Sequence, residues 1–293
     1  MLWPNDLNKK IKTNVFLANF TSFRIGGPAK FFFEPEDLVS LQEVLISARE
    51  AGIKVFILGS GSNLLVSDSG VDGIVIRLTA KDFKGIYNLG NCIIAGGGLK
   101  LNQLILFAKE KCLSGLEFLA GIPGTLGGAL AGNAGAWGSS IGELVKQVYV
   151  LDYSGRPNLL NCKELTFAYR KSNLNKYIII SATLRLHALN KGAITQKIKG
   201  YLRERSRTQI NSFPNAGCVF KNPGKNAAGF LIDRCGLKGK TLGGASVSRR
   251  HANFILNSHK AKSSDVISLM NLIRKKVKSR FKINLAPEIK IWR

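Results

Sequence analysis

The stretch Val55-Phe56-Ile57-Leu58-Gly59-Ser60-Gly61-Ser62-Asn63-Leu64-Leu65-Val66 decides the fold. Its four leading apolar residues read as a short buried strand, and the strand empties directly into a loop of glycine, serine and asparagine. With no Cβ in the way, backbone N–H groups at Gly59 and Gly61 can approach an anion closely, and Ser60, Ser62 and Asn63 add side-chain donors. A Gly-Ser-Gly run is equally an ordinary turn, so both readings stay open at this point. The loop is not a Walker loop, because no Gly-Lys-Ser/Thr follows, and it lacks the GxGxxG spacing of a dinucleotide-binding turn.

Upstream, Lys30 to Phe33 reads as a strand. Pro35 then opens a helix that places Leu38, Leu41, Val44, Leu45 and Ala48 on one face until Gly52. Downstream, Leu64 to Val66 and Ile74 to Leu78 resume strand character, giving an α/β unit with a glycine loop at a strand end. Near Cys92 a strand runs into Gly96-Gly97-Gly98 and is followed by an amphipathic helix from Leu101 to Cys112. Gln147 to Leu151 and Tyr177 to Leu186 are long strands rich in Val, Ile and Tyr. From Asn190 the chain becomes basic, with a helix ending near Thr208, short strands around Val219 and Phe254, and a helix from Ser263 to Phe281. The fold class is α+β in three parts, residues 1–78, 79–189 and 190–293, the first open to completion by the extreme C terminus.

A second glycine segment is more informative. Gly121-Ile122-Pro123-Gly124-Thr125-Leu126-Gly127-Gly128-Ala129, followed by Asn133-Ala134-Gly135-Ala136, is too rich in small residues to favour an ordinary helix or strand. Something flat or anionic lying against this backbone would explain the cost, and so would tight packing between domains. The surrounding uncharged stretch from Phe118 to Gly142 holds eight glycines and Pro123, which suits turns and not a membrane-spanning helix.

The chain has 293 residues, 45% of them hydrophobic, enough for cores in two or three units. Five cysteines without a CxxC pair and three histidines indicate a reducing compartment, and no metal site is predicted. Lys9, Lys10 and Lys12 are followed by no apolar run of signal-peptide length, so the expected location is cytoplasmic. The formal charge is +25, and residues 190–293 alone hold 23 Lys and Arg against 4 Asp and Glu. Such a region can attract nucleic acid, an acidic membrane surface or a small polyanionic substrate, or can reflect lysine on solvated faces. The basic residues are not interleaved with stacking aromatics, which argues against nucleic acid.

Taken in order, the segments resemble the UDP-N-acetylenolpyruvoylglucosamine reductase (UDP-N-acetylmuramate dehydrogenase) family, which is built on an FAD-binding fold of the vanillyl-alcohol-oxidase type. The motifs that carry the resemblance are Thr21 to Ala29, Gly59 to Leu65, Gly121 to Ala136, Phe167 to Ser172, Gly217 to Pro223, Ala228 to Asp233, His251 to Phe254 and Leu285 to Ile289. Only 47 residues separate Arg170 from Cys218, so the chain is similar to the shorter family type, which lacks a tyrosine-bearing insertion.

The resemblance implies NADPH-dependent reduction of an enolpyruvyl UDP-sugar through FAD, a step of peptidoglycan precursor synthesis. It implies a C-terminal substrate domain, and a monomer that takes a UDP-sugar but neither nucleic acid nor membrane insertion. It assigns catalysis to Arg170, Cys218 and Glu288, with the cysteine where the family most often has a serine proton donor. A thiol, with a reference pKa of about 8.5, is intrinsically the better acid. Cofactor binding falls on Gly59, Ser60, Gly61, Ser62, Asn63, Leu64, Gly121, Ile122, Pro123, Gly124, Thr125, Gly127, Gly128, Ala129, Asn133, Gly135 and Ala136. The flavin is expected to be non-covalent, because the loops carry no histidine or cysteine at an attachment point. Tyr169, Arg207, Lys221 and Asn222 are the substrate-binding candidates, and His251 is structural or cofactor-adjacent. The rival readings are another flavoprotein of the same fold and a basic nucleic-acid-binding protein.

Overall fold

A computed structural model describes residues 3–209 and 213–293. The chain divides into two compact units: Met1–Thr13, Phe31–Ser60 and Gly73–Arg205 form the first, and Asn14–Lys30, Gly61–Asp72 and Ser206–Arg293 the second.

The first unit contains a five-stranded antiparallel sheet in the order Pro157–Asn161, Val145–Leu151, Ile178–Arg185, Cys92–Gly96, Ile86–Leu89. Its central strand is almost wholly buried, as a run of β-branched residues favours. The helix Leu101–Glu110 inserts Leu101, Leu104, Ile105 and Ala108 into a core shared with Val148, Val150 and Leu184. A second core gathers Leu41, Val44, Leu45 and Ala48 of the Leu38–Glu50 helix against Phe33, Ile74 and Ile76. Truncating fully buried Leu45 to alanine would cost about 2–5 kcal/mol.

That helix starts at Leu38 and not at Pro35. Asp37 Oδ1 accepts from the Ser40 N–H at 2.8 Å, and Ser40 Oγ accepts from the Asp37 N–H at 3.3 Å. This reciprocal cap fixes the first turn two residues beyond the proline. The strand Val55–Ile57 lies parallel to its neighbour with Val55 opposite Ile74, and the Leu58 N–H donates to the Ile76 carbonyl at 2.9 Å. The ladder therefore ends where the glycine loop begins.

In the second unit a three-stranded antiparallel sheet, Thr241–Leu242, Ala245–Val247 and Ile255–Asn257, shares a core with the helices Ala228–Arg234 and Ser263–Phe281. The longer helix buries Val266, Leu269, Met270, Ile273 and Val277, one stripe at helical spacing. Its first turn is held from 195 residues away: Asp68 accepts from the Ser263 N–H at 2.8 Å and the Ser263 hydroxyl at 2.9 Å. Strand Lys290–Trp292 runs parallel to Leu64–Val66, with Lys290 opposite Leu64. Among the described residues no helix is long and apolar enough to cross a membrane, and no group of three or more His, Cys, Asp or Glu is placed to hold a metal ion.

Candidate functional site

In the first unit the glycine segments meet. A Cβ on Gly59 would fall 2.8 Å from Thr125 Oγ1, so the missing side chain lets the strand-end loop approach the second segment. The backbone beyond Thr125 is fixed by the Gly127 N–H donating to Gly97 O at 2.8 Å and the Leu126 N–H donating to Leu99 O at 2.8 Å. Gly124 accepts from the Leu101 N–H at 3.0 Å. Thr125 then caps the short helix Leu126–Ala131 by accepting from the Gly128 N–H at 3.3 Å.

Packing explains some of these glycines and not others. A Cβ on Gly127 would lie 3.0 Å from Gly97 O, and one on Gly97 would lie 2.1 Å from Ile179 O. At Gly128 and Gly132 a Cβ would meet nothing nearer than 3.4 Å and 3.5 Å, which is ordinary contact. Two glycines that the protein's own packing does not require, Gly128 inside the helix where it costs about 1 kcal/mol and Gly132 at its C-cap, are what close approach of a ligand would require. Uncharged donors and glycine backbone in this cradle fit the diphosphate of a dinucleotide.

The same segment positions the Arg170 turn. Asn133, buried and in the left-handed region at φ 45°, donates from Nδ2 to Ala168 O at 2.9 Å and accepts at Oδ1 from the Gly142 N–H at 3.0 Å. Ser172 Oγ donates to Ala131 O at 3.0 Å. Between these two anchors the strands Phe167–Ala168 and Lys171–Ser172 pair across a two-residue turn, Tyr169-Arg170. Arg170 takes φ 54° and its guanidinium lies 5.2 Å from the centre of the exposed Tyr169 ring.

Gly135–Ala136 and Ser139–Ser140 form a further hairpin, turned by Trp137 and Gly138 at φ 50° and 83°. Two positive φ angles in succession suit the right-handed twist of a tight hairpin. The Trp137 ring is 4.5 Å from Tyr201 and 4.7 Å from the Arg205 guanidinium. Gly121 leaves the space that Arg205 Cδ occupies. Ile122, beside it, is anchored by donation from its N–H to Leu119 O at 2.9 Å, while Pro123 is exposed and Ala129 is buried.

The second unit collects the other candidates. Half-buried Cys218 bridges to Phe254, and Phe220 bridges to Pro287. Around them the Glu288 N–H donates to Val219 O at 2.8 Å and the Lys221 N–H donates to Ala286 O at 2.9 Å. Around Val219 these are isolated bridges and not the strand read from the sequence, whereas the strand read around Phe254 is present as Ile255–Asn257, one residue further on. Asn63 Nδ2 donates to Glu288 O at 3.2 Å and Asn63 O accepts from the Lys290 N–H at 3.0 Å. Asn63, Leu64, Lys221 and Glu288 thus belong to one locally bonded framework, with Gly61 and Ser62 preceding it in the chain and Cys218 beside it at Val219. Gly61 itself is demanded by packing, since a Cβ there would fall 2.1 Å from Phe20 O. Asn222 accepts from the Ala228 N–H at 2.9 Å and so bonds the first residue of the Ala228–Arg234 helix. Arg207 is exposed near the end of the Lys191–Thr208 helix.

No sequence pattern assigns a role to Asn253. It is buried, and its side chain serves both backbone polar groups of Phe220: Oδ1 accepts from the N–H at 3.0 Å and Nδ2 donates to the carbonyl at 2.8 Å. Its own carbonyl accepts from the Val219 N–H at 2.8 Å. Asn253 is therefore a side-chain template for the segment that carries Cys218 and Lys221. His251 supports it by accepting at Nδ1 from the Asn253 N–H at 3.3 Å, with its ring 4.7 Å from Phe254. Burial lowers the His251 pKa below its ordinary value, which favours the neutral ring that this acceptor role requires.

Comparison with known proteins gives matches in both halves of the chain. Residues 29–158 match a family described as an FAD binding domain, and residues 208–292 match the C-terminal domain of UDP-N-acetylenolpyruvoylglucosamine reductase. A curated protein of that name from Moorella thermoacetica is 41% identical over 98% of this chain and 94% of its own length. One from Clostridium novyi is 36% identical over 99% and 98%. The crystal structure of the Thermus caldophilus enzyme of that name superposes with a TM-score of 0.84 at 34% identity, covering 97% of this chain and 99% of the other. Cholesterol oxidase from B. sterolicum matches with a TM-score of 0.50 at 15% identity over 63% of this chain and 39% of the other, which is a likeness of fold.

Proposed function

The chain belongs to the UDP-N-acetylenolpyruvoylglucosamine reductase family, and from that premise we propose that it reduces UDP-N-acetylenolpyruvoylglucosamine to UDP-N-acetylmuramate with NADPH, as a cytoplasmic step of peptidoglycan precursor synthesis. The observation that carries the reading is identity of 41% along nearly the whole chain, together with a glycine cradle whose Gly128 and Gly132 are not explained by packing. The Gly59, Thr125, Gly128 and Gly132 cradle would hold FAD non-covalently, and FAD so bound would supply hydride chemistry for the carbon–carbon double bond of the substrate, with NADPH as reductant.

The remaining work belongs to side chains. Reduction beside a carboxylate builds enolate-like charge, which a fixed cation and hydrogen-bond donors stabilise. Arg170 supplies that cation, with a planar fork suited to a carboxylate. Its left-handed turn, anchored by Asn133 and Ser172, presets the guanidinium position. Cys218 Sγ gives its proton to the carbon adjacent to the one reduced, and the Asn253 template fixes Val219 and Phe220, the two residues that follow it. Glu288 assists charge stabilisation or proton delivery from the segment bonded to Val219 and Asn63. Lys221, Asn222, Arg207 and Tyr169 bind the UDP-sugar, the two cations reading its phosphates.

Anaerobic reduction of the bound flavin by NADPH, followed by reoxidation with the enolpyruvyl UDP-sugar, tests cofactor, donor and acceptor together. Absence of reoxidation by that substrate overturns the reading.

A further inference from the structure

The reaction proposed above uses only a handful of cations, yet residues 190–293 carry 23 Lys and Arg against 4 Asp and Glu. Much of this excess is concentrated at one end of the second unit. Arg274, Lys275, Lys276, Lys278, Arg280 and Lys282 are all exposed, and the Ser263–Phe281 helix that carries most of them buries only its Val266 to Val277 stripe. Cations in a final helical turn are expected, because they offset the partial negative charge of the terminal carbonyls. That accounts for Lys278 and Arg280. It does not account for Arg274, Lys275 and Lys276, which precede the last turn, where the effect has fallen away.

Aromatic rings adjoin the same end. The Arg280 guanidinium donates to Arg234 O and lies 5.5 Å from the centre of the Phe281 ring. Arg234, the last residue of the Ala228–Arg234 helix, places its guanidinium 5.5 Å from the ring of Phe230, which is 55% exposed. Lys276 and Arg280 occupy neighbouring i, i+4 positions, so Phe230, Arg234, Lys276 and Arg280 make one continuous patch. An exposed phenyl ring flanked by cations on long stems is the pattern that lies at the boundary between headgroups and acyl chains.

We infer that this end of the second unit is a peripheral docking surface for an anionic phospholipid bilayer. The arrangement favours lipid over nucleic acid because guanidinium groups already lie over the Phe230 and Phe281 rings, where a base would have to stack. It favours lipid over a folded acidic partner because flexible lysine stems on several sides of one helix suit a diffuse plane of charge better than a shaped pocket. Each Lys or Arg near such a surface raises partitioning roughly fivefold, so the attachment is reversible and salt-sensitive.

The test is sedimentation of the full-length holoenzyme with vesicles of phosphatidylcholine alone or of phosphatidylcholine with phosphatidylglycerol. The protein is expected to pellet only with the anionic vesicles and to be released by salt. The triple variant Lys275→Glu, Lys276→Glu, Lys278→Glu should lose about a hundredfold or more in partitioning, and Phe230→Ser should lose less. Turnover without vesicles reports folding, and Lys275→Gln, Lys276→Gln, Lys278→Gln replaces the charge reversal if that variant misfolds. Failure of the wild type to pellet with anionic vesicles, or pelleting of a folded triple variant like the wild type, overturns the inference. Displacement from the vesicles by a short single-stranded RNA at lower concentration than by free phosphatidylglycerol assigns the patch to nucleic acid and overturns it as well.

Discussion

Asn63 donates from its side-chain amide to the main-chain carbonyl of Glu288 at 3.2 Å, across 225 residues of sequence. A residue of the strand-end glycine loop thus holds the segment that carries the C-terminal carboxylate. The Glu288 N–H is spent on Val219 at 2.8 Å, so both main-chain polar groups of Glu288 are fixed by bonds that an exchange of its side chain leaves in place.

Glu288→Gln should therefore keep the fold and the flavin while losing chemistry. The expected loss in turnover is about 10²-fold or more, the scale of a missing acid or charge-stabilising group. The flavin-to-protein absorbance ratio should stay at the wild-type value. Turnover within threefold of wild type would remove Glu288 from the site.

Substitution of Cys218 tests the two half-reactions separately. Cys218→Ala should leave NADPH-dependent bleaching of the flavin unchanged and slow reoxidation by the UDP-sugar, because only the second step needs a proton on carbon. Cys218→Ser should recover a large part of the rate, since a hydroxyl also donates. Alkylation of the thiol should inactivate the enzyme, and bound UDP-sugar should protect it. Full turnover after quantitative modification of Cys218 would contradict the role.

The long helices were legible because their apolar residues recur at helical spacing: Ser263–Phe281 and Lys191–Thr208 end where the sequence places them. The boundary at Leu38 was not, because Pro35 is a generic start signal whereas the reciprocal Asp37–Ser40 cap depends on side-chain geometry. Around Cys218 a sequence window contains one side of a contact whose other sides are Phe254 and Pro287. No local periodicity encodes such pairing. For the same reason Asn253 went unassigned: its amide acts on Phe220, 33 residues earlier.

Asn253 gives a stability test with a catalytic readout. Asn253→Leu keeps the branched outline of the side chain and strands the buried N–H and carbonyl of Phe220, at a cost of about 1–3 kcal/mol for each group left unsatisfied. Urea denaturation should show that loss. If the amide positions Cys218, turnover in the folded variant should fall while the KM for NADPH holds. A variant destabilised to this extent with wild-type turnover would reduce Asn253 to packing.

His251 makes stability depend on pH. Its folded-state pKa is lowered, chiefly by burial, from the ordinary 6.5. Protons therefore bind the unfolded chain more readily than the native one as pH falls through that value. The contribution of the neutral ring is complete above about pH 6.5 and drains away below it, toward the lower native pKa. Thermal midpoints should drop between neutral and mildly acidic pH, and His251→Gln should flatten that part of the profile. An unchanged slope in the variant would place the dependence elsewhere.

Gly59→Ala tests the cradle. The new Cβ would sit 2.8 Å from Thr125 Oγ1, and the hydroxyl that must move is the one accepting from the Gly128 N–H at 3.3 Å. Relief therefore costs the cap of the Leu126–Ala131 helix, about 1 kcal/mol, and shifts the Gly127-Gly128 backbone. FAD affinity should fall about tenfold or more, the consequence of a misplaced donor pair, with little change in the C-terminal unit. Thr125→Ala alone loses the cap but not the space, so it should weaken FAD less than Gly59→Ala does. In the double variant the clash is gone and only the cap is missing, so its affinity should return to that of Thr125→Ala. Simple addition of the two losses would mean that Gly59 acts on the cofactor by some route other than Thr125.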